Sequence, residues 1–142
     1  MSNTSFKIRP ATPQDCALIL DFITQLAVYE KMLDEVVATE QLLHESLFVN
    51  KHAEVIIGEE DGQPVGFALF FHNFSTFLGR PGMYLEDLFV KQEHRGKGYG
   101  EALLKHIAAL AAERGCGRME WACLNWNTSS IEFYKRMGAR PM

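Results

Sequence analysis

The chain has 142 residues, 47% of them hydrophobic and 23% charged, with a formal net charge of −4, which suits one ordinary domain, residues 1–142, built on a single core. The mildly acidic balance gives no general attraction to nucleic acid or to an anionic membrane. No apolar run reaches the ~20 residues that span a bilayer, and Met1 to Arg9 has no basic-then-apolar leader pattern.

Taken in chain order, Phe6-Lys7-Ile8-Arg9 alternates as a short strand does. Thr12-Pro13-Gln14-Asp15 reads as a helix start, with Thr12 as cap, Pro13 at the first helical position and Asp15 near the positive end. Cys16, Ile19, Ile23 and Leu26 then follow at helical spacing. A second helix is expected from Thr39 through Leu42, Leu43 and Leu47. Ala53 to Gly58 and Val65 to Phe71 form the arms of a hairpin around Glu60-Asp61-Gly62, an Asp-Gly turn signal. A third strand runs from Met83 to Val90, followed by a helix from about Tyr99 to Arg114 that Gly115 stops. Met119 to Leu124 is read as a strand and Ser129 to Met137 as a last helix. The order β-α-α-β-β-β-α-β-α defines a mixed α/β domain.

Cys16, Cys116 and Cys123 lack paired zinc spacing and are read as buried free thiols, which favours a reducing compartment, the cytoplasm. His44, His52, His72, His94 and His106 form no ligand spacing and are read as surface or loop residues, so no metal is expected.

The strongest local signal is Arg95-Gly96-Lys97-Gly98-Tyr99-Gly100, between a strand and an amphipathic helix. Alternate glycines leave backbone N–H groups free to converge on an anion. The helix N-terminus behind them adds partial positive charge, and Arg95 and Lys97 add full charges. This suits a pyrophosphate; a flexible turn with solvated basic residues fits the same hexapeptide. There is no G-x-x-x-x-G-K-[ST] phosphate loop, and the glycine triplet does not follow the chain's first strand as a Rossmann site would have it.

The R-x-x-G-x-G spacing resembles the coenzyme A pyrophosphate motif of the GCN5-related N-acetyltransferases (GNAT). Flanking segments are similar to the diamine (spermidine/spermine) acetyltransferase branch: Ile8-Arg9-Pro10-Ala11-Thr12, Leu26-Ala27-Val28-Tyr29-Glu30, Tyr84-Leu85-Glu86-Asp87-Leu88-Phe89-Val90, and Trp126-Asn127 followed by Phe133-Tyr134-Lys135-Arg136. The resemblance covers nearly the whole chain. It implies a mostly antiparallel twisted sheet with flanking helices, and acetyl-CoA as cosubstrate. It further implies a pantetheine arm along the backbone of Leu88, Phe89 and Val90, and a pyrophosphate on the amides of Gly96, Lys97, Gly98, Tyr99, Gly100 and Glu101 beside Arg95. Asn127, Thr128, Ser129 and Ser130 line the cofactor cleft in this correspondence. Glu86 matches the base for the amine, and Tyr134 the proton donor to the departing thiolate. Tyr29, Glu30, Glu86, Glu120, Trp121 and Ala122 fall where substrate binds.

Apart from the resemblance, Glu86 reads equally as a solvated strand charge, and Tyr134, beside Ile131 and Phe133, as core packing. Adjacent Glu86 and Asp87 face opposite sides of a sheet unless a bulge intervenes, so one of them alone contacts a given proton. The expected reaction is transfer of an acetyl group to a primary amine of a small polyamine-like cation. The alternatives are an acetyltransferase for amino-acid or peptide amines and a non-catalytic acyl-CoA-binding module. Relative to the family, strand-forming sequence is missing after the last helix. Either the chain is shortened or a partner chain covers that sheet edge, and a homodimer is expected.

Overall fold

The protein was described from a computed structural model covering residues 5–121 and 140–141, with Trp121, Arg140 and Pro141 described by backbone alone. Its sheet has strands β1 (Phe6–Pro10), β2 (Glu54–Glu60), β3 (Gln63–Ser75), β4 (Arg80–Val90), β5 (Met119–Trp121) and β6 (Arg140–Pro141), adjacent in that order. β1 to β4 pair antiparallel, and β5 pairs parallel with both β4 and β6. Helices α1 (Cys16–Tyr29) and α2 (Glu40–Leu43) lie on one face, and α3 (Tyr99–Glu113) lies on the other. This is the mixed α/β architecture expected from the element order, with the mostly antiparallel sheet that the resemblance implies. Among the described residues no helix is long and apolar enough to cross a membrane.

Two helical layers explain why the central strands carry unbroken apolar runs. Val55, Ile56 and Ile57 are consecutive and all buried. Ile56 packs with Leu103 and Ile107 of α3, whereas Val55 and Ile57 pack with Ile19, Phe22 and Leu26 of α1. The Asp-Gly turn forms as read, with Asp61 at φ 50 and Gly62 at φ 82, the left-handed pair that a two-residue hairpin requires.

Several boundaries differ from the sequence reading. The hairpin arms extend to Glu60 and Ser75, and β4 starts at Arg80, because backbone pairing continues past the apolar stretches that marked them. The expected helix from Thr39 to Leu47 is instead the single turn α2, capped by the Thr39 hydroxyl, running into a π-helical stretch, His44–Val49. Pro13–Asp15 form a separate tight turn before α1. There Asp15 accepts from the Thr12 N–H at 2.7 Å and from Arg9 at 2.8 and 3.0 Å. Asp15 is therefore half of an ion pair that fastens β1 to α1. Cys16 is buried as read and Cys116 is half-buried, while Cys123 and the helix Ser129 to Met137 lie outside the described residues.

β3 and β4 approach closely at Gly66, where an added Cβ would meet the Phe89 carbonyl oxygen at 2.7 Å and Val90 Cγ2 at 3.2 Å. Backbone cannot yield as a flexible side chain can. Gly66→Ala is expected to cost roughly 1–3 kcal/mol. The urea midpoint would fall at constant slope; an unchanged midpoint would mean that the two strands separate freely here.

Candidate active site

The site is organised by one irregularity in β4. Leu69 pairs with Asp87 but Phe70 pairs with Leu85, so Glu86 is an extra residue, a β-bulge. Met83 and Leu85 face α3, and so do Leu88 and Val90. Odd positions point to α3 before the bulge and even ones after it. Phe89 now faces α1. Asp87 shares that orientation, opposite Leu69 and near Glu30 at the end of α1. The alternation expected for Glu86 and Asp87 is thus broken: Glu86 sits exposed on the bulge, and Asp87 is half-buried beside it.

Burial, reinforced by the neighbouring Glu86 and then Glu30, pushes the Asp87 carboxyl from 3.8 up to about 7. A group titrating there can take and return a proton near neutrality. Sequence reasoning favoured Glu86 and left Asp87 open. The signal was nevertheless present: the apolar positions Met83 and Leu85 are out of phase with Leu88 and Val90, and that slip marks the bulge.

β5 pairs with β4 only at Met83, Tyr84 and Leu85. From Glu86 to Val90 the outer edge of β4 has no strand beside it among the described residues. Backbone N–H and C=O groups that no strand claims can bind an extended amide-bearing ligand. The side chains of Leu88, Phe89 and Val90 are committed to the two cores, so any contribution from these three residues is through backbone. The Val90 carbonyl already accepts from Arg95 Nε at 2.9 Å.

The loop after β4 contains Gly96 at φ 84 and Gly98 at φ 83, left-handed positions that favour glycine. Gly98 caps α3, whose first internal backbone bond runs from the Ala102 N–H to the Gly98 carbonyl. Among the described residues, the backbone N–H groups of Gly96, Lys97, Gly98, Tyr99, Gly100 and Glu101 find no acceptor. These donors fit an anionic group such as a pyrophosphate.

The charges of the loop are arranged otherwise than expected. The Arg95 guanidinium lies over the Tyr29 ring at 4.6 Å and the Phe89 ring at 5.4 Å. Lys97 Nζ pairs with Glu60 at 2.9 Å. Both cations make contacts within the protein, whereas the amides of the loop are unclaimed among the described residues. The Tyr99 side chain is buried, stacked on Phe6 at 4.0 Å, so it anchors the loop and leaves its backbone N–H to the site. His94 lies in the connection between β4 and α3, a loop residue as read, and is half-buried with Nδ1 at 2.9 Å from Glu60.

Of the residues expected at the substrate, Tyr29 and Glu30 lie at the end of α1 next to Arg95 and Asp87 respectively. Glu120 differs: its carboxylate meets Arg118 Nε at 2.9 Å and accepts from Asn73 Nδ2 at 3.3 Å. Both contacts are made by Oε1, so part of its charge is already compensated within the protein. Trp121 pairs with Leu85 through backbone, while Ala122, Asn127, Thr128, Ser129, Ser130 and Tyr134 lie outside the described residues. Among the described residues no group of His, Cys, Asp and Glu is placed to hold a metal ion.

Residues 21–139 match the acetyltransferase (GNAT) family model. The chain is 37% identical over 147 aligned residues to a thialysine N-epsilon-acetyltransferase of Sus scrofa, covering 97% of this chain and 86% of the relative. It is 31% identical to an L-ornithine N5-acetyltransferase of Arabidopsis thaliana, covering 94% and 79%. A solved integron cassette protein from the mobile metagenome of V. cholerae superimposes with a TM-score of 0.79 at 30% identity, over 97% of this chain and 87% of its own. The chain belongs to the GNAT family and is an acetyltransferase.

The raised Asp87 carboxyl has a consequence for stability. Between pH about 4 and 7 the folded protein keeps a proton that the unfolded chain has released, so stability falls as pH rises through that window. The difference is on the order of 4 kcal/mol, from ~1.36 kcal/mol per pH unit. Asp87→Asn should remove this component, so that the variant gains on the parent as pH rises from 4 to 8. Parallel urea curves for the two proteins across that range would exclude a raised Asp87.

Proposed function

We propose that the chain transfers the acetyl group of acetyl-CoA, the cosubstrate of its family, to the terminal primary amine of a small molecule bearing a second cationic nitrogen. Diamines, polyamines and basic amino acids with a side-chain amine belong to this class. The observation that carries the reading is the grouping of Glu30, Glu86 and a neutral-range Asp87 at the β4 bulge, one bend of chain from the loop with unclaimed amides. The thialysine and ornithine acetyltransferases named above act, by their names, on a side-chain nitrogen of a basic amino acid.

A primary alkylamine has a pKa of about 10.4, so fewer than ~1 in 1,000 molecules are neutral at pH 7. Attack requires the neutral form. Passing the proton to an ordinary aspartate would cost roughly 9 kcal/mol, whereas an acceptor near pH 7 reduces this to roughly 5 kcal/mol. Asp87, its carboxyl raised by burial and by Glu86 and Glu30, is proposed as that acceptor. Glu86 on the bulge holds the ammonium beside it or relays its proton through water. Glu30 adds a second negative charge on the side of α1.

Acetyl-CoA supplies an activated acyl group as a thioester. Leu88, Phe89 and Val90 would orient its pantetheine arm through backbone groups, and the amides of Gly96 to Glu101 would hold its pyrophosphate. Asn127, Thr128, Ser129 and Ser130 are proposed along the cofactor cleft, and Tyr134 as proton donor to the departing sulfur. A phenol of pKa about 10 is protonated at neutral pH and able to donate. Tyr134→Phe should lower kcat by ~10² to 10⁴-fold with little change in coenzyme affinity. An unaltered kcat with chemistry rate-limiting would remove Tyr134 from the mechanism.

The substrate class is tested by kcat/KM for putrescine, spermidine, ornithine, lysine, a peptide amine and an uncharged-tail monoamine of equal length. A second positive charge is expected to confer roughly tenfold preference, weakening as salt rises, since screened pairs contribute modestly. Glu30→Gln should reduce that preference by raising KM for the dication alone. Equal specificity constants for dication and monoamine would overturn the substrate reading. Rank order within the panel separates polyamines from amino acids.

A further inference from the structure

Glu60 ends β2, outside the groups assigned to the reaction, yet three side chains of the glycine loop converge on it. Its Oε1 accepts from the Tyr99 hydroxyl at 2.6 Å and from Lys97 Nζ at 2.9 Å. His94 Nδ1 lies 2.9 Å from Oε2. In sequence these partners straddle Gly96 and Gly98, the two left-handed positions. Among the described residues, the loop's other ties are short backbone turns at His94 and Arg95, the bond from Arg95 to Val90, and the Arg95 guanidinium over the Tyr29 and Phe89 rings. Tyr99 is held from its other side by Phe6, stacked at 4.0 Å, and Phe6 lies against Gly58, where an added Cβ would come within 2.7 Å of its ring.

We infer that Glu60 is a positioning residue for coenzyme binding: it fixes the loop with its amides already turned outward, without itself touching the coenzyme. The inference rests on the reading above that this loop takes the pyrophosphate. A loop ordered before its ligand arrives does not lose that conformational entropy on binding. A carboxylate near an anion site is otherwise unfavourable, and here the Lys97 ammonium and the Tyr99 hydroxyl compensate it. Those contacts also hold the Glu60 carboxyl below its usual value, keeping it charged and acceptor-only at neutral pH. The absence of a side chain at Gly58 gives Phe6 its room, so β2 supplies both the acceptor and the seat of the anchor.

The test is calorimetric binding of coenzyme A to the parent, Glu60→Ala, Tyr99→Phe and the double variant. Glu60→Ala is expected to weaken Kd by about tenfold. Tyr99→Phe, which keeps the stacking on Phe6, should weaken it less. The double variant should be no worse than Glu60→Ala, since both changes break one shared contact. Steady-state rates supply a second readout. KM for acetyl-CoA should rise at nearly constant kcat, while kcat/KM for acetyl-pantetheine, which lacks the pyrophosphate, should stay within about twofold of the parent. Equal losses on both donors would make Glu60 a general structural residue and overturn the assignment. So would a Glu60→Ala variant that binds coenzyme A as tightly as the parent. If Glu60→Ala fails to fold, Tyr99→Phe decides alone by the same two readouts. A parent that does not bind coenzyme A would overturn the reading of the loop itself, an outcome distinct from an insensitive variant.

Discussion

One residue too many in β4 governs the rest of this structure. Because β3 supplies two residues where β4 supplies three, the alternation of β4 reverses at Glu86, and the strand changes which of its side chains it gives to each helical layer. Met83 and Leu85 on one side of the reversal, and Leu88 and Val90 on the other, reach the α3 core, and Phe89 joins the α1 core with its ring edge-on to Phe22, which stacks on Phe67. The bulge therefore does not disturb packing; both cores depend on it. Its second product is electrostatic. A carboxylate that regular alternation would have turned towards α3 is instead brought up, half-buried, to the end of α1 near two like charges. Buried carboxylates held this way are costly, and they persist where chemistry uses the displaced proton affinity.

Much of this was legible beforehand. Period-two and period-3.6 patterns located the central strands and α3, and Asp61-Gly62 was enough to specify the β2–β3 turn because two consecutive left-handed residues are its steric requirement. The glycine loop was recognisable for the same reason at Gly96 and Gly98. What the pattern misjudged were boundaries set by backbone pairing, as at Glu60 and Ser75, and the stretch after Thr39, where His44–Val49 widens into a π-helix to seat Leu43 and Leu47 against α1.

The site residues divide similarly. Tyr29 and Glu30 stand at the end of α1 and Glu86 within β4, the elements in which the sequence reading put them, while their roles came from the family resemblance. Contacts between residues distant in the chain were not readable. Glu60 looked like one more acidic residue at a turn, and its meeting with Tyr99 spans 39 positions. Glu120 looked like an available carboxylate until Arg118 and Asn73 were found against it. A formal charge in a sequence says what a group can do, whereas its nearest partner decides whether it is still available.

The placing of Arg95 carries a thermodynamic corollary. It belongs to the loop proposed for the coenzyme, but its guanidinium rests on Tyr29, at the end of the helix that carries Glu30. A contact shared by two binding regions is a term in both affinities. Should either ligand strengthen or loosen the Arg95–Tyr29 stack, the free energy by which it alters the other's binding is returned in equal measure. Order of addition can then change the route to the ternary complex but not the size of that coupling, which belongs to the cycle as a whole.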